Sequence, residues 1–178
     1  KIILQNQRVF DEVAKIKETY KIVGSFQTRN IPHFGHEKII ERMLELCDHV
    51  VINPVIGPKK SGDVKLEVLE MIYEYLISHK YGYRISFLPI FANMFYAGPN
   101  EAIHHAILRQ KVGFDLFSVG RDHAGAQAAY LPSLAVEKLV ENEKNLNIKI
   151  FGHHGAVFCD TCNSAVLFGE CDHNVKKY

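Results

Sequence analysis

The run Ile22-Val-Gly-Ser-Phe-Gln-Thr-Arg-Asn-Ile-Pro-His-Phe-Gly-His36 constrains the fold more than any other stretch. It passes from an apolar segment through a polar turn into two histidines that open an amphipathic helix. A strand ending at Phe26 delivers Gln27, Thr28, Arg29 and Asn30 to the carboxyl edge of a sheet, where open α/β sheets bind ligands. A helix opening near Gly35 aims its free N–H groups and positive dipole end at the same edge, a seat for phosphate. His33 and His36 are close to one helical turn apart, so both imidazoles can face one ligand. Arg29 adds a planar fork of donors suited to a tetrahedral oxyanion. A histidine pair at this spacing is weak by itself, since it also suits a polar helix face or a metal pair.

The rest of the chain alternates in the same way. Val9, Phe10, Val13 and Ile16 mark a helix over Asn6 to Tyr20, feeding a strand over Lys21 to Phe26. Ile39, Ile40, Met43, Leu44 and Cys47 mark the next buried face, with Cys47 as a small core hydrophobe. Val50 to Ile52 is a buried strand. Gly57 to Asp63 is a loop whose Lys59 and Lys60 are either solvated or phosphate-directed, and Asp63 is placed to cap the helix that carries Leu66, Leu69, Ile72, Tyr73 and Leu76. Arg84 to Leu88 reads as a strand and Pro89 to Gly98 as a loop. Pro99 suits the first position of a helix with Ala102, Ile103, Ala106 and Ile107 facing inward, and His104 as a structural histidine. Asp115 to Val119 is a strand ending at Gly120, where the missing side chain allows close approach of a ligand. A helix over Ser133 to Asn145 and a strand over Ile148 to Phe151 complete the alternation. The expected fold is α/β, a Rossmann-like, doubly wound parallel sheet with right-handed crossovers.

Cys159-x-x-Cys162, Cys171 and His173 lie close together in the tail, a set suited to tetrahedral structural zinc. A redox pair or unpaired thiols are the other readings, and His153 or His154 is a substitute fourth ligand if the spacing of Cys171 and His173 proves too tight. Net charge is only +1, so no nucleic-acid footprint is expected. The absence of a long apolar run or signal pattern predicts no membrane span and a cytoplasmic setting.

Gln27 to His36 closely resembles the QTRNPxHxxH signature of the ATP sulfurylase (sulfate adenylyltransferase) family, within the HxGH nucleotidyltransferase superfamily. Three further blocks follow in the family's order. Gly57 to Asp63 resembles GPxKxGD; Met94 to Ala102 with His105 and Arg109 resembles YAGPxEAxxHAxxR; Gly120 to Gly125 is GRDHAG. The sequence departs from the pattern at Pro32, one place late, at Phe34 and Phe95, where arginine is frequent, and at Asn53, where histidine is common. These departures are expected to remove positive charge near the phosphates.

The resemblance implies reaction of ATP with sulfate to give adenosine 5′-phosphosulfate and pyrophosphate, by in-line attack on the α-phosphorus. It assigns Gln27, Arg29 and the backbone at Ala124 to sulfate. The implied catalytic set is Thr28, Arg29, Asn30, His33 and His36, and the implied ATP pocket adds Gln27, Gly120, Arg121, Asp122, His123 and Val157 to that set. It further implies Mg2+ arriving with ATP, a structural zinc at Cys159, Cys162, Cys171 and His173, and a homo-oligomer. Residues 1–151 are expected to form the nucleotidyltransferase domain of HxGH type and 152–178 a small C-terminal zinc-binding hairpin, without the family's PUA-like N-terminal domain. Another HxGH nucleotidyltransferase with a phosphorylated cosubstrate and a non-catalytic nucleotide-binding subunit are the rival readings.

Overall fold

The computed structural model describes residues 5–58, 64–121, 123 and 131–173. Its elements run α1 Gln7–Thr19, β1 Val23–Phe26, α2 Phe34–Leu46, β2 His49–Ile52, β3 Val55–Ile56, α3 Leu66–Leu76, β4 Ile85–Phe87, β5 Ile90–Phe91, α4 Pro99–Val112, β6 Leu116–Gly120, α5 Leu134–Asn142, β7 Lys149–His153, β8 Ala156–Cys159 and β9 Ser164–Leu167.

The strands are short and rich in β-branched and aromatic residues, and they pair in the order β4-β2-β1-β6-β7, all parallel. Both faces of such a sheet must be covered. Alternation along the strands divides the core accordingly. Val51, Phe117 and Val119 pack with Val9 and Val13 of α1, Ala102 and Ala106 of α4 and Leu139 of α5. Val50, Ile52 and Leu116 pack on the other side with Ile39, Ile40 and Met43 of α2 and Tyr73 of α3. Each fully buried aliphatic side chain contributes roughly 1.5–3 kcal/mol. The strand order reverses direction between β1 and β6, so the carboxyl ends of these two neighbours define the switch-point crevice.

The doubly wound expectation therefore holds, with local differences. The stretch expected to be a loop after Leu88 contains β5, which pairs in parallel with β3 (Val55 with Ile90, Ile56 with Phe91). Asn6 ties this second small sheet to the start of α1: its Nδ2 donates to the Phe91 carbonyl at 2.9 Å and its Oδ1 accepts from the Phe91 amide at 2.7 Å. Helix α3 continues through a π turn over Ile77–Tyr81, and its first flanking residue is Lys65; the expected cap Asp63 lies outside the described residues, as do Lys59 and Lys60. Helix α4 turns Ala102 and Ala106 inward as expected, with Ile103 packed partly buried against the core, and encloses more than expected. Ile107 is exposed, and alongside Ala102 and Ala106 the fully enclosed side chains are Glu101, His105 and Arg109.

The β8–β9 hairpin is antiparallel and packs on α2, the helix that opens at the histidines. Glu170 fixes this contact: it accepts from Arg42 Nε at 2.6 Å and from the Leu167 amide at 2.6 Å, with Lys38 Nζ at 3.8 Å.

Candidate active site

Parallel pairing of β1 with β6 brings two distant loops together, the one after Phe26 and the one after Gly120. Between them lies a cavity of about 550 Å³, a volume suited to a small-molecule ligand. Gln27, Thr28, Arg29, Asn30, His33 and His36 line one side; Gly120, Arg121 and His123 line the other. Asp122 and Ala124, assigned by resemblance to nucleotide and sulfate, lie outside the described residues.

His33 is the N-cap of α2. Its Nδ1 accepts from the Gly35 amide at 3.0 Å, satisfying one of the donors a helix start leaves open. In the neutral ring the proton is therefore on Nε2. Gly35 makes this cap possible, because a Cβ at that position would stand 2.8 Å from His33 Cε1. The His36 ring follows at a centroid distance of 4.0 Å and meets Phe26 edge-on at 5.9 Å. Burial, and then the neighbouring His33, push the His36 pKa down to about 4, and its Nδ1 is buried without a hydrogen-bond partner among the described residues. The site thus holds a desolvated, neutral imidazole that an arriving polyanion stabilises in its charged form.

Thr28 and Asn30 shape the loop. The Thr28 hydroxyl accepts from the Asn30 amide and donates to the Asn30 carbonyl, both at 3.2 Å. Gln27 lines the cavity with its amide oxygen buried and, among the described residues, without a hydrogen-bond partner. The Arg29 guanidinium carbon lies 5.7 Å from the Tyr96 ring centre.

A residue the sequence pattern did not single out for this cavity also lines it. His153 ends β7, and its Nδ1 accepts from the Gly155 amide at 3.2 Å while Nε2 lies 3.2 Å from Ser118 Oγ. Burial, then His36 and His154, lower its pKa to about 4. Gly120, which lines the cavity, also makes room for this histidine: a Cβ there would come within 3.2 Å of the His153 ring. The useful sequence signal was positional, since a polar residue at the carboxyl end of a strand beside the switch point faces the crevice.

Val157 stands beside the main cavity. It lines an adjoining recess of about 210 Å³ with Phe34, Phe158, Ala165 and the His33–Gly35 turn. Phe34 and Phe95 are 75% and 67% exposed, so the two aromatic departures are carried at the surface. Asn53 has a different placement from the one expected. It is fully buried, donates Nδ2 to the Leu88 carbonyl and accepts from Ser25 Oγ at 3.4 Å, so it joins strand ends inside the core.

In the hairpin, the ligand atoms of Cys159, Cys162, Cys171 and His173 all lie within 4.8 Å of one another. Ligand atoms around tetrahedral zinc with bonds of about 2.3 Å are roughly 3.8 Å apart, so these four fit such an ion with small closure. The short spacing of Cys171 and His173 is accommodated, and the alternative ligand His153 belongs to the cavity. The amide of Cys162, donating to Cys159 Sγ at 3.4 Å, holds that thiol below its usual range, at about 7.

A model of the ATP-sulfurylase family matches residues 5–178. Over 158 residues the chain is 42% identical to the sulfate adenylyltransferase of Pyrococcus abyssi, covering 88% of this chain and 41% of the relative. Over 155 residues it is 41% identical to that of Ignicoccus hospitalis, covering 86% and 40%. The chain thus spans about two fifths of the length of the curated relatives it matches. Among solved structures, the hexameric APS kinase from Thiobacillus denitrificans superposes with a TM-score of 0.68 at 11% identity, covering 93% of this chain and 31% of that one; at this identity the likeness concerns the fold.

Proposed function

Because the chain belongs to the ATP-sulfurylase family, we propose that it carries the sulfate adenylyltransferase active site and joins sulfate to the α-phosphorus of ATP. The observation that carries this reading is the enclosure of one cavity by residues of the Gln27–His36 segment on one side and by Gly120, Arg121 and His123 on the other, far apart in sequence.

In the reaction, a sulfate oxygen forms a bond to the α-phosphorus as the bond to the β-phosphate bridging oxygen breaks. The electron pair leaves on pyrophosphate, and no proton need be abstracted from sulfate. Catalysis then rests on alignment and on stabilising charge as it develops. Gln27 and Arg29, with the backbone at Ala124, bind sulfate. Thr28 holds the turn so that Asn30 and the start of α2 meet the phosphates, and His33 and His36 stabilise charge on the transferring group and departing pyrophosphate. Gly120, Arg121, Asp122 and His123 bind the nucleotide. Val157 and the recess shared with Phe34 offer an apolar seat for the base. Mg2+ belongs to this reading as the counterion of ATP.

In the same reading the cysteine and histidine cluster holds zinc. Residues 1–151 act as the catalytic body and 152–178 as a metal-stabilised tail that braces α2. With four protein ligands, the metal keeps no open position for chemistry and supplies rigidity. A homo-oligomer and a cytoplasmic setting accompany the family reading; among the described residues, no helix is long and apolar enough to cross a membrane.

The test is product identity. Incubation of the chain with MgATP and sulfate, followed by phosphorus NMR, should yield equal amounts of adenosine 5′-phosphosulfate and pyrophosphate. Formation of ADP, or transfer only to a phosphorylated cosubstrate, would replace this reading.

A further inference from the structure

Behind His123 a line of buried polar groups runs back into α4. His123 Nε2 lies 3.0 Å from His105 Nδ1. His105 Nε2 lies 3.5 Å from Glu101 Oε1, with the two side chains 0% and 1% exposed; this is an electrostatic contact, and Nε2 has no hydrogen-bond partner among the described residues. Glu101 is itself held in place: Oε1 accepts from the Phe95 amide at 2.8 Å and Oε2 from the Ala97 amide at 2.9 Å. Glu101 and His105 are one turn apart on α4, and neither lines the cavity.

The order of donors along this line follows from the chemistry of the groups. A carboxylate oxygen only accepts, so the His105 nitrogen facing it carries the proton. His105 Nδ1 is then the acceptor, and His123 must donate from Nε2. The reverse order would set the His105 Nε2 lone pair against a carboxylate oxygen in a dry contact, where repulsion is poorly screened. Arg109, fully enclosed one turn further along, donates to the Asn53 carbonyl at 3.2 Å, and its guanidinium carbon lies 4.9 Å from the Phe117 ring centre. Burial first, and then the Arg109 charge, oppose a second proton on either histidine, which keeps both rings neutral.

We propose that Glu101 and His105 are positioning residues that hold His123 in the tautomer protonated at Nε2, leaving Nδ1 as a bare acceptor for a hydroxyl or amino donor of the bound nucleoside. The nucleoside part rests on the proposed function; the tautomer does not. In a cavity otherwise furnished with arginine, histidine and amide donors, His123 then recognises the end of the ligand that donates.

Nitrogen-15 NMR of the full chain without nucleotide, with the His123 signals identified by their loss in His123→Asn, reads the tautomer directly. The expected result is a proton on Nε2 and a pyridine-like Nδ1. A proton on Nδ1 in the wild-type chain overturns the proposal, whatever reaction the site performs. The second measurement compares His105→Asn, whose amide oxygen can accept from His123, with His105→Leu, which cannot. His105→Leu should raise KM for ATP about tenfold, the size of one hydrogen bond, with kcat little changed, and His105→Asn should restore most of it. Equal losses in both variants, with melting temperatures unchanged, would assign His105 to packing alone and overturn the positioning role.

Discussion

The imidazoles of His33 and His36 stand with their centres 4.0 Å apart at the start of α2, the first tied by its Nδ1 to the Gly35 amide and the second buried with its Nδ1 unpartnered among the described residues. His33 thus meets a ligand through Nε2 alone, while His36 keeps Nδ1 in reserve as well. His36→Ala should lower kcat by about 100-fold with little change in KM for ATP, the pattern of an interaction made in the transition state. Steady-state kinetics checks this; a large rise in KM at unchanged kcat would make His36 a ground-state contact.

Gly35 is tested separately. A methyl group there collides with the His33 ring, 2.8 Å from Cε1, so Gly35→Ala should displace the ring or break the cap. The expected cost is about 1 kcal/mol of stability from the lost cap, together with a fall in kcat of more than about tenfold. Thermal unfolding and kinetics measure the two parts, and wild-type values for both would show that the ring position is immaterial.

Much of this site was legible before the fold was known, because its parts are local. A strand, a polar turn and a capped helix are written in consecutive residues, and Ile39, Ile40, Met43 and Leu44 declare the buried face of α2 by spacing alone. Helix α4 was legible only in part, in Ala102 and Ala106, for the opposite reason. Glu101, His105 and Arg109, at successive turns, look like a solvated stripe, yet they are buried because their partners come from elsewhere: the amides of Phe95 and Ala97, the carbonyl of Asn53 and the ring of His123. His153 was weighed only as a substitute metal ligand, since its place in the cavity depends on β7 pairing beside β6. The β3–β5 pair was hidden because two-residue strands carry too little periodicity to be seen.

Arg29→Lys should reduce kcat/KM for sulfate by more than about tenfold, because a point ammonium cannot reproduce the guanidinium fork. Kinetics at varied sulfate and saturating ATP isolates the effect. Near-normal use of sulfate would remove Arg29 from the oxyanion site.

Acid should destabilise the folded chain. His36 and His153 are held at about 4 and His123 at about 3, all below the ordinary histidine value of 6.5. Between those values the unfolded chain binds more protons than the native one, so stability is highest above pH 6.5 and falls as pH drops towards 4. Each such histidine adds up to about 1.4 kcal/mol per pH unit across that window. Melting temperatures at pH 7, 6 and 5 should therefore decline, and His153→Gln should flatten the decline; a flat wild-type profile would contradict the burial of these rings as neutral groups.

Metal removal should act through the hairpin. The four ligand residues close the end of a β-hairpin clamped to α2 by Glu170, and Val157 of β8 lines the recess beside His33. Chelation should lower the melting temperature and raise KM for ATP several-fold, with kcat at saturation less affected, and zinc should restore both. An apo chain of normal stability and normal KM would show that the cluster does not brace the site.

Pyrophosphate release from MgATP shows whether the cavity between β1 and β6 joins an oxyanion to the α-phosphate of ATP. Molybdate is the informative second oxyanion, because its adenylyl product hydrolyses and so sustains turnover. Release should depend on sulfate or molybdate and be lost in His36→Ala; bound ATP with no oxyanion-dependent release would exclude sulfate adenylylation at this site.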